Sequence, residues 1–450
     1  MTTEKHSIFV EKNFLFLINH RKGAKSTLVE SYINNGAVDE LKENLGISHL
    51  LEHVCTDGWK KCGAKGCNEW WKEKGAIMNA STGQTYVNYY IKALPQYLDD
   101  QIDYILNLSV YPDITHKRCE KEKSAVKNEL LIHKQNPSLP IYNILNKMLF
   151  SVEGLVLQDD IDQQISNLKK INHKDLKKWA DKYYGSGQTI FSITGDFKNK
   201  TFKNNTITKI KKQAAKILKK ADGIKYKRYY SNVFLPGINV RYIKNNGIDN
   251  STIYFSFHSP IFQRDIEYWY ISLFKEFVNN SMQSVLMREL REKRQLIYTI
   301  HVENYTTTYG SFIIIETSCE NDDILKTVKV TIDVLQRLAT GSFDKDLLES
   351  CKNVWQVKFQ NRCRNNDWLS TFYSEQYVNQ FNDLNNATIH SPEEVVTIIK
   401  NLKQSDFIQF IRKYLVFGNM KLAYQGKKKE ANLRQHIIKN LGIKNVVIVD

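Results

Sequence analysis

The sequence predicts a protein of two similar halves, each built from layers of α-helices and β-strands in an α/β or α+β arrangement. Three observations lead to this prediction. Each half opens with strand-like runs, each half then has a strand followed by two helical patterns, and a basic stretch separates the halves near the middle of the 450 residues. A chain of this length has room for roughly two or three domains of about 150 residues.

In the first half, β-branched and aromatic residues cluster in runs typical of strands, and apolar residues recur at helical spacing after them. The predicted strands cover residues 14–18, 27–33 and 86–94, and the predicted helices cover residues 98–110 and 119–133.

The second half repeats this order. The predicted strands cover residues 240–243, 252–258 and 310–318, and the predicted helices cover residues 322–338 and 344–357. The corresponding strands end at Leu94 and Ser318, so the copies are offset by half of the chain. The duplication is one of pattern, because identity between the copies is weak. We therefore expect an N-terminal domain at 1–200, a basic linker at 201–228 and a homologous C-terminal domain at 229–450.

The formal net charge is +16, from 64 Lys and Arg against 48 Asp and Glu, but most of it is local. Residues 198–230 contain 12 Lys or Arg and one acid, Asp222, which gives 12 − 1 = +11. A chain-wide nucleic-acid-binding surface is therefore not expected. We interpret the basic stretch as a solvated linker or helix face, with contact to an anionic partner as the alternative.

No membrane or targeting segment is visible in the sequence. No apolar run approaches the roughly 18 residues that cross a bilayer, and the N-terminus lacks the pattern of a signal or transit peptide. The seven cysteines are an odd and sparse set, which favours reduced thiols. Cys55, Cys62 and Cys67 are clustered without the CxxC spacing of a zinc site, so we interpret them as free thiols in a loop. We expect a cytoplasmic protein.

The motif that carries chemistry is His49-Leu50-Leu51-Glu52-His53. On a helix, the two histidines lie one turn apart on one face, where both imidazoles can bind one divalent ion. Glu52 lies beside them and can accept a proton from a water molecule at that ion. At the same offset between the copies, the counterpart of His49 is Leu273, in a segment without histidine, so only the first half is expected to bind metal.

A catalytic zinc ion usually has three protein ligands, so a third ligand is needed. The predicted helix at 119–133 offers Glu122 and Glu129, which are seven positions apart and share a face. Either glutamate is a candidate, and His133, one turn beyond Glu129, is a weaker one.

These residues resemble the pitrilysin/insulinase family of zinc metallopeptidases, nearest its mitochondrial processing peptidase branch. The family pattern of Gly, two residues and His-x-x-Glu-His is present at residues 46–53. In the family, a ligand Glu follows the motif at a long, characteristic spacing, and Glu129 lies at that spacing from His53. The resemblance implies that Glu129 is the third zinc ligand and that Glu122, seven positions earlier, is a supporting acid.

Further motifs support the resemblance. Residues 75–82 match the family's Gly-x-x-x-Asn-Ala-x-Thr strand, which pairs with the substrate backbone, so Asn79 and Ala80 are implied to bind substrate. Residues 192–196 match the strand at the end of the family's first domain. In the second half, Arg291 and Tyr298 match an Arg…Tyr element that holds substrate and stabilises the developing oxyanion.

The resemblance implies an α+β fold in which each half is a mostly antiparallel sheet packed with helices, and the two halves form half of a clamshell. It implies a zinc metalloendopeptidase with one Zn²⁺ per chain, acting on short or unfolded polypeptides, with Glu52 as the general base. Because the family's chamber uses four such domains, it implies a homodimer or a heterodimer with a related subunit.

Two alternatives remain open. Some relatives are scaffold or partner subunits without catalytic activity, although such chains usually lose zinc-site residues. A basic nucleic-acid-binding protein is the other alternative, and no recognised nucleic-acid-binding motif supports it. The chain also departs from the family, because the stretch after the motif, residues 55–74, is unusually rich in Cys and Trp.

Overall fold

The structure is a computed structural model that describes residues 6–185, 188–197, 206–221, 233–279, 284–307, 309–441 and 447–449. The chain forms two compact units. The first contains residues 1–135, 152–229 and 362–387, and the second contains residues 136–151, 230–361 and 388–450. Each unit therefore includes a short segment from a distant part of the chain.

Each unit is built on one six-stranded sheet. In chain order the strands are β1 (His6–Glu11), β2 (Phe14–His20), β3 (Thr27–Ile33), β4 (Ile77–Thr82), β5 (Val87–Ala93), β6 (Thr189–Gly195), β7 (Asn239–Lys244), β8 (Ser251–Ser259), β9 (Ile297–Thr307), β10 (Gly310–Cys319), β11 (Lys421–Gly426) and β12 (Val447–Val449).

Helices pack around both sheets. In chain order they are α1 (Ile47–Thr56), α2 (Cys67–Lys72), α3 (Leu98–Val110), α4 (His116–Lys134), α5 (Leu139–Leu149), α6 (Glu153–Leu157), α7 (Ile161–Leu168), α8 (His173–Tyr183), α9 (Thr206–Ile217), α10 (Ile266–Asn279), α11 (Val285–Met287), α12 (Ile324–Thr340), α13 (Lys345–Arg362), α14 (Asn366–Val378), α15 (Pro392–Asn401), α16 (Gln404–Tyr414) and α17 (Leu433–Leu441). A π-helical turn, Arg288–Glu292, continues α11.

The sheet of the first unit has the order β1-β2-β6-β3-β5-β4. Its β2 and β6 are parallel, and its other neighbouring strands are antiparallel. Both faces of its central strand are covered: Ser31 of β3 contacts Ser109 of α3, and Glu30 accepts a hydrogen bond from Ser370 of α14. This double coverage explains why β3 is buried along its whole length.

The sheet of the second unit has the order β12-β7-β11-β8-β10-β9. Five of its strands follow the same order as β2-β6-β3-β5-β4, including one parallel pair, β7 with β11. The sixth strand differs, since β12 runs parallel to β7 whereas β1 runs antiparallel to β2. Helix α5 packs on β11 and β7.

The predicted fold class is confirmed: both sheets are mostly antiparallel and are packed with helices. The predicted helix at 98–110 has the same bounds as α3. Helix α4 begins at His116, ahead of the predicted start at Cys119, because the Thr115 side chain accepts a hydrogen bond from the Arg118 amide and caps the first turn.

The interpretation of the clustered cysteines as free thiols is wrong for two of them. Cys62 and Cys67 form a disulfide with a Cα–Cα distance of 4.9 Å. The turn between them brings the two residues together, because Gly63 and Gly66 have φ angles of 64° and 82° that favour glycine. Cys55 is a buried free cysteine in α1. The expectation of a reducing compartment relied on these cysteines being reduced thiols, and the disulfide removes that argument.

The described part of the basic stretch is the amphipathic helix α9 and the turn after it. Ile210, Ala214 and Leu218 are buried, and α9 packs on α3 and β1. Its lysines lie on the exposed face. The predictions for residues 198–205 and 222–230 lie outside the described residues. Among the helices of the described ranges, none has the length and apolar character needed to span a bilayer.

Candidate metal centre

The helix that carries the histidines, α1, begins at Ile47, and the residue that caps it, Gly46, has a φ of 89°. Just before it, the buried carboxylate of Glu40 accepts hydrogen bonds from the amides of Gly46 and Ser48, at 2.8 and 2.9 Å. These contacts satisfy amides that a helix N-terminus leaves free. Burial raises the pKa of Glu40 to about 7, against the effect of the two amide hydrogen bonds. Sequence reasoning missed this role of Glu40, and its only signal was an acid shortly before Gly46.

Helix α1 has one apolar face and one polar face. Leu50, Leu51 and Val54 are fully buried against the rest of the unit. His49 and His53 lie one turn apart on the other side, with ring centroids 4.9 Å apart. Both imidazoles are partly exposed, so they are open to an ion from solvent.

Helix α4 packs against α1 and supplies two carboxylates. The Oε2 atom of Glu129 lies 3.6 Å from Nε2 of His49 and 3.3 Å from Nε2 of His53. Glu122 lies on the opposite side of the His53 ring, with Oε2 at 3.6 Å from Nδ1. The alternative ligand His133 is exposed and does not belong to this group.

The donor set fits a zinc ion. One ligand atom from each of His49, His53 and Glu129 lies within 4.8 Å of the others. Two ligand atoms bound about 2.1 Å from a tetrahedral zinc ion are about 3.4 Å apart, close to the 3.3 and 3.6 Å that separate the Glu129 oxygen from the two imidazoles. Glu122 contacts the other nitrogen of His53, as carboxylates beside zinc-binding histidines do. No other group of three His, Cys, Asp or Glu of this kind occurs in the described ranges.

The carboxylates and imidazoles shift one another's ionisation. The contact with His49 is the largest effect on the pKa of Glu129 and lowers it. The contact with His53 is the largest effect on the pKa of Glu122 and lowers it too. Burial of His53 works to lower its pKa, but the contact with Glu122 and the charges of the neighbouring glutamates outweigh burial and raise it.

Glu52 is set apart from the three candidate ligands. Its side chain points into the unit, only 6% of the residue is exposed, and Oε2 accepts a hydrogen bond of 2.6 Å from the Thr82 hydroxyl. Burial raises its pKa, while Thr82 and the two histidines act in the opposite direction. A buried carboxylate with a raised pKa beside a cation site is suited to accept and return a proton.

Strand β4 carries the two residues implied to bind substrate. Asn79 is exposed and Ala80 is partly buried, as the alternation along the strand requires. Within the described sheet, β4 is an edge strand that pairs only with β5. Its outer row of N–H and C=O groups is therefore available to an extended peptide.

Arg291 and Tyr298 lie in the second unit, where the structure brings them together. The Arg291 guanidinium stacks 4.8 Å from the centre of the Tyr298 ring, and Nη1 donates to the Tyr298 carbonyl oxygen at 3.1 Å. Tyr298 is 75% exposed at the start of the edge strand β9. Arg291 lies in the π-helical turn Arg288–Glu292, a distortion that is frequent at functional sites. At the position equivalent to His49, Leu273 of α10 is fully buried.

Two family models match the chain. The model of the insulinase family, peptidase family M16, matches residues 15–156, and the model described as the peptidase M16 inactive domain matches residues 170–354. The first match includes α1 and α4 with the candidate metal ligands, and the second includes Arg291 and Tyr298.

The curated relatives that match this chain are distant in sequence. An uncharacterized zinc protease of Rickettsia felis is 22% identical over 91% of this chain and 95% of its own length. The uncharacterized zinc protease YmxG of Bacillus subtilis is 22% identical, and the beta subunit of the mitochondrial-processing peptidase of Caenorhabditis elegans is 25% identical. These two alignments span 46% and 37% of the relatives' length and 42% and 38% of this chain.

Solved structures share the fold. A protease from Helicobacter pylori superposes with a TM-score of 0.78 at 17% identity, covering 94% of this chain and 100% of the other. A peptidase M16 inactive domain from Pseudomonas fluorescens has the same TM-score at 14% identity, covering 94% of this chain and 98% of the other.

Proposed function

This chain belongs to the insulinase family of peptidases, and on that premise we propose that it is a zinc metalloendopeptidase that hydrolyses short or unfolded polypeptides. The observation that supports the proposal most strongly is the geometry in the first unit. Donor atoms of His49, His53 and Glu129 lie within 4.8 Å of one another, the Glu129 oxygen lies 3.6 and 3.3 Å from the two imidazoles, and the buried Glu52 lies beside them.

In the proposed reaction, His49, His53 and Glu129 hold one zinc ion per chain. A zinc ion held by these residues would supply Lewis-acid chemistry, which would polarise the peptide carbonyl and lower the pKa of the attacking water. Glu52 accepts the proton of that water and delivers it to the amine of the leaving peptide. Glu122 fixes the ring of His53 through Nδ1.

The other site residues act on the substrate in this proposal. Asn79 and Ala80 hold an extended peptide against the outer edge of β4. Arg291 and Tyr298 bind substrate and donate hydrogen bonds to the oxyanion that develops on the carbonyl. The exposure of the Tyr298 ring, which leaves it available to a ligand, supports this role.

The assembly belongs to the proposal as well. We expect a homodimer or a heterodimer with a related subunit, because the family includes the beta subunit of a processing peptidase and subunit 1 of the bovine cytochrome b-c1 complex, which is 21% identical over 42% of this chain. The match to the cytochrome b-c1 subunit supports the alternative function, a scaffold or partner subunit without catalytic activity.

The test combines zinc content with cleavage of a panel of unstructured peptides by the wild type and Glu52→Gln. We expect about one zinc per chain in both proteins, cleavage by the wild type, and a loss of at least about a hundredfold in kcat for Glu52→Gln, since general acid–base catalysis contributes about that much or more. Glu43→Gln, an exposed carboxylate just before α1, is the matched control and should cleave like the wild type.

Two outcomes would contradict the proposal. If carefully prepared protein binds no zinc, the catalytic hypothesis fails and the scaffold remains. If zinc binds but neither the wild type alone nor the wild type with a related subunit cleaves any peptide, the chain is a partner subunit that keeps a metal site.

A further inference from the structure

The side chain that holds Glu52 comes from the edge strand β4. Residues of β4 alternate between exposed and partly buried positions, so Ile77, Asn79 and Ser81 face one way and Met78, Ala80 and Thr82 face the other. The second set points towards α1, since the Thr82 hydroxyl donates to Oε2 of Glu52 at 2.6 Å. Thr82 is the last residue of the strand, two positions after Ala80.

Thr82 is the one side chain in the described parts of the protein that donates a hydrogen bond to Glu52. The carboxylate is almost fully buried, and a buried carboxylate oxygen without a donor is costly, so this contact strongly favours one orientation of the group. Hydrogen bonds to an ionised group are short and about twice as strong as neutral ones, and the observed distance is in that range.

From this arrangement we infer that Thr82 is a positioning residue, which couples the strand that would bind the peptide to the base that would act on it. The inference rests on the proposed function. One oxygen of Glu52 is held by Thr82, which leaves the other free for the attacking water. Because Thr82 lies on the same strand as Asn79 and Ala80, a peptide paired with β4 is held in register with the base. A small loss of this register has a large effect on rate.

The main test is Thr82→Val, which keeps the shape and β-propensity of the side chain but removes the hydroxyl. We expect kcat to fall about 10- to 100-fold, with KM for an unstructured peptide within about twofold of wild type and zinc content unchanged. Thr82→Ser restores a donor and should recover kcat to within about threefold. Thr397→Val, which removes an exposed hydroxyl that donates to the Glu393 carbonyl within α15, is the matched control and should behave like the wild type.

A second measurement does not depend on cleavage. In metal-free protein, urea midpoints are compared for wild type, Thr82→Val, Glu52→Ala, which removes the acceptor, and the double variant. If the two side chains interact, the shift of the double variant differs from the sum of the single shifts. Thr397→Val combined with Glu52→Ala should give additive shifts.

The outcomes separate this inference from the proposed function. Wild-type kcat in Thr82→Val, or a loss of kcat that Thr82→Ser does not recover, would overturn the inference while the peptidase stands. If the wild type with zinc cleaves nothing, the proposed function fails, and the urea measurement alone decides whether Thr82 holds Glu52. Additive shifts for Thr82→Val and Glu52→Ala would then overturn the contact.

Discussion

At the scale of single residues, the chemistry of the centre depends on which nitrogen of His53 each carboxylate contacts. Glu129 contacts Nε2 together with His49, whereas Glu122 contacts Nδ1. A carboxylate beside Nδ1 favours the tautomer with its proton on Nδ1, which leaves the Nε2 lone pair for a metal ion. The two glutamates have the same residue type and share a helix, but they make different contacts because α1 places the His53 ring between them.

Glu122→Gln is therefore expected to weaken zinc binding without abolishing it. Removing the carboxylate next to Nδ1 lowers the basicity of the His53 ligand, and such changes typically cost about 10- to 100-fold in metal affinity. The measurement is a zinc titration against a competing chelator. Glu120→Gln, an exposed glutamate of the same helix that pairs with Lys123, is the control. Equal zinc affinity for Glu122→Gln and the control would contradict the role given to Glu122.

At the scale of elements, the π-helical turn before β9 is held by a buried charge. Glu289 lies within this turn and pairs with Lys293 and Arg294 at 2.7 Å and with Arg337 at 3.7 Å. Burial works to raise the pKa of Glu289, but these three cations outweigh it and lower the pKa to about 2. The cluster supports the turn that carries Arg291.

The acid stability of this element follows from that pKa. The folded-state pKa of Glu289 lies below its ordinary value, so the carboxylate stabilises the folded protein above about pH 4.5, and this contribution is lost as the pH falls towards about 2. Glu289→Gln should lower the free energy of unfolding at neutral pH by on the order of 2–3 kcal/mol. The difference in free energy of unfolding between Glu289→Gln and the wild type should shrink as the pH falls.

Urea unfolding at neutral pH and near pH 2.5 checks this prediction. Glu292→Gln, in the same turn but about half exposed, should change the free energy of unfolding by less than about 0.5 kcal/mol at either pH. A Glu289→Gln difference of equal size at both pH values would mean that the ionised carboxylate does not stabilise the turn.

At the scale of the whole molecule, each compact unit takes in a helix from a distant part of the chain. Helix α14 packs on β3 and β6 of the first unit, and α5 packs on β7 and β11 of the second. The α14 contact includes a buried polar network, in which Ser370 donates to Glu30 and lies 2.9 Å from Ser192. Contacts of such long sequence separation are costly to close in folding.

Ser370→Ala should therefore destabilise the protein through the first unit. The substitution leaves the buried Glu30 with one donor fewer, and an unsatisfied buried acceptor costs about 1–3 kcal/mol. Thr371→Ala, on the next position of α14 with only a local hydrogen bond to the Asp367 carbonyl, is the control and should change stability by less than about 0.5 kcal/mol. Equal urea midpoints for the two variants would show that the Glu30–Ser370 contact contributes nothing.

Local patterns predicted many elements well, because their cause is local. The apolar spacing of residues 98–110 matches the bounds of α3, and the run at 27–33 matches β3. The repeated order of predicted strands and helices also indicated that the two halves are similar. The five-strand order common to both sheets agrees with that prediction. The disulfide was missed, since the pairing of Cys62 with Cys67 depends on the turn geometry at two glycines rather than on a motif.

The sequence by itself determined which residues can hold a metal, because the spacing in His49-x-x-Glu52-His53 acts within one helix turn. The residues alone left the third ligand open between Glu122 and Glu129, with His133 as a weaker candidate. Only the tertiary structure decided that Glu129 contacts both imidazoles while Glu122 contacts Nδ1 of His53. It also decided that Thr82 donates to Glu52 and that Glu40 accepts from the first amides of α1. The physical reason is that these contacts join separate elements, and their distances depend on how a helix packs against a helix and a strand.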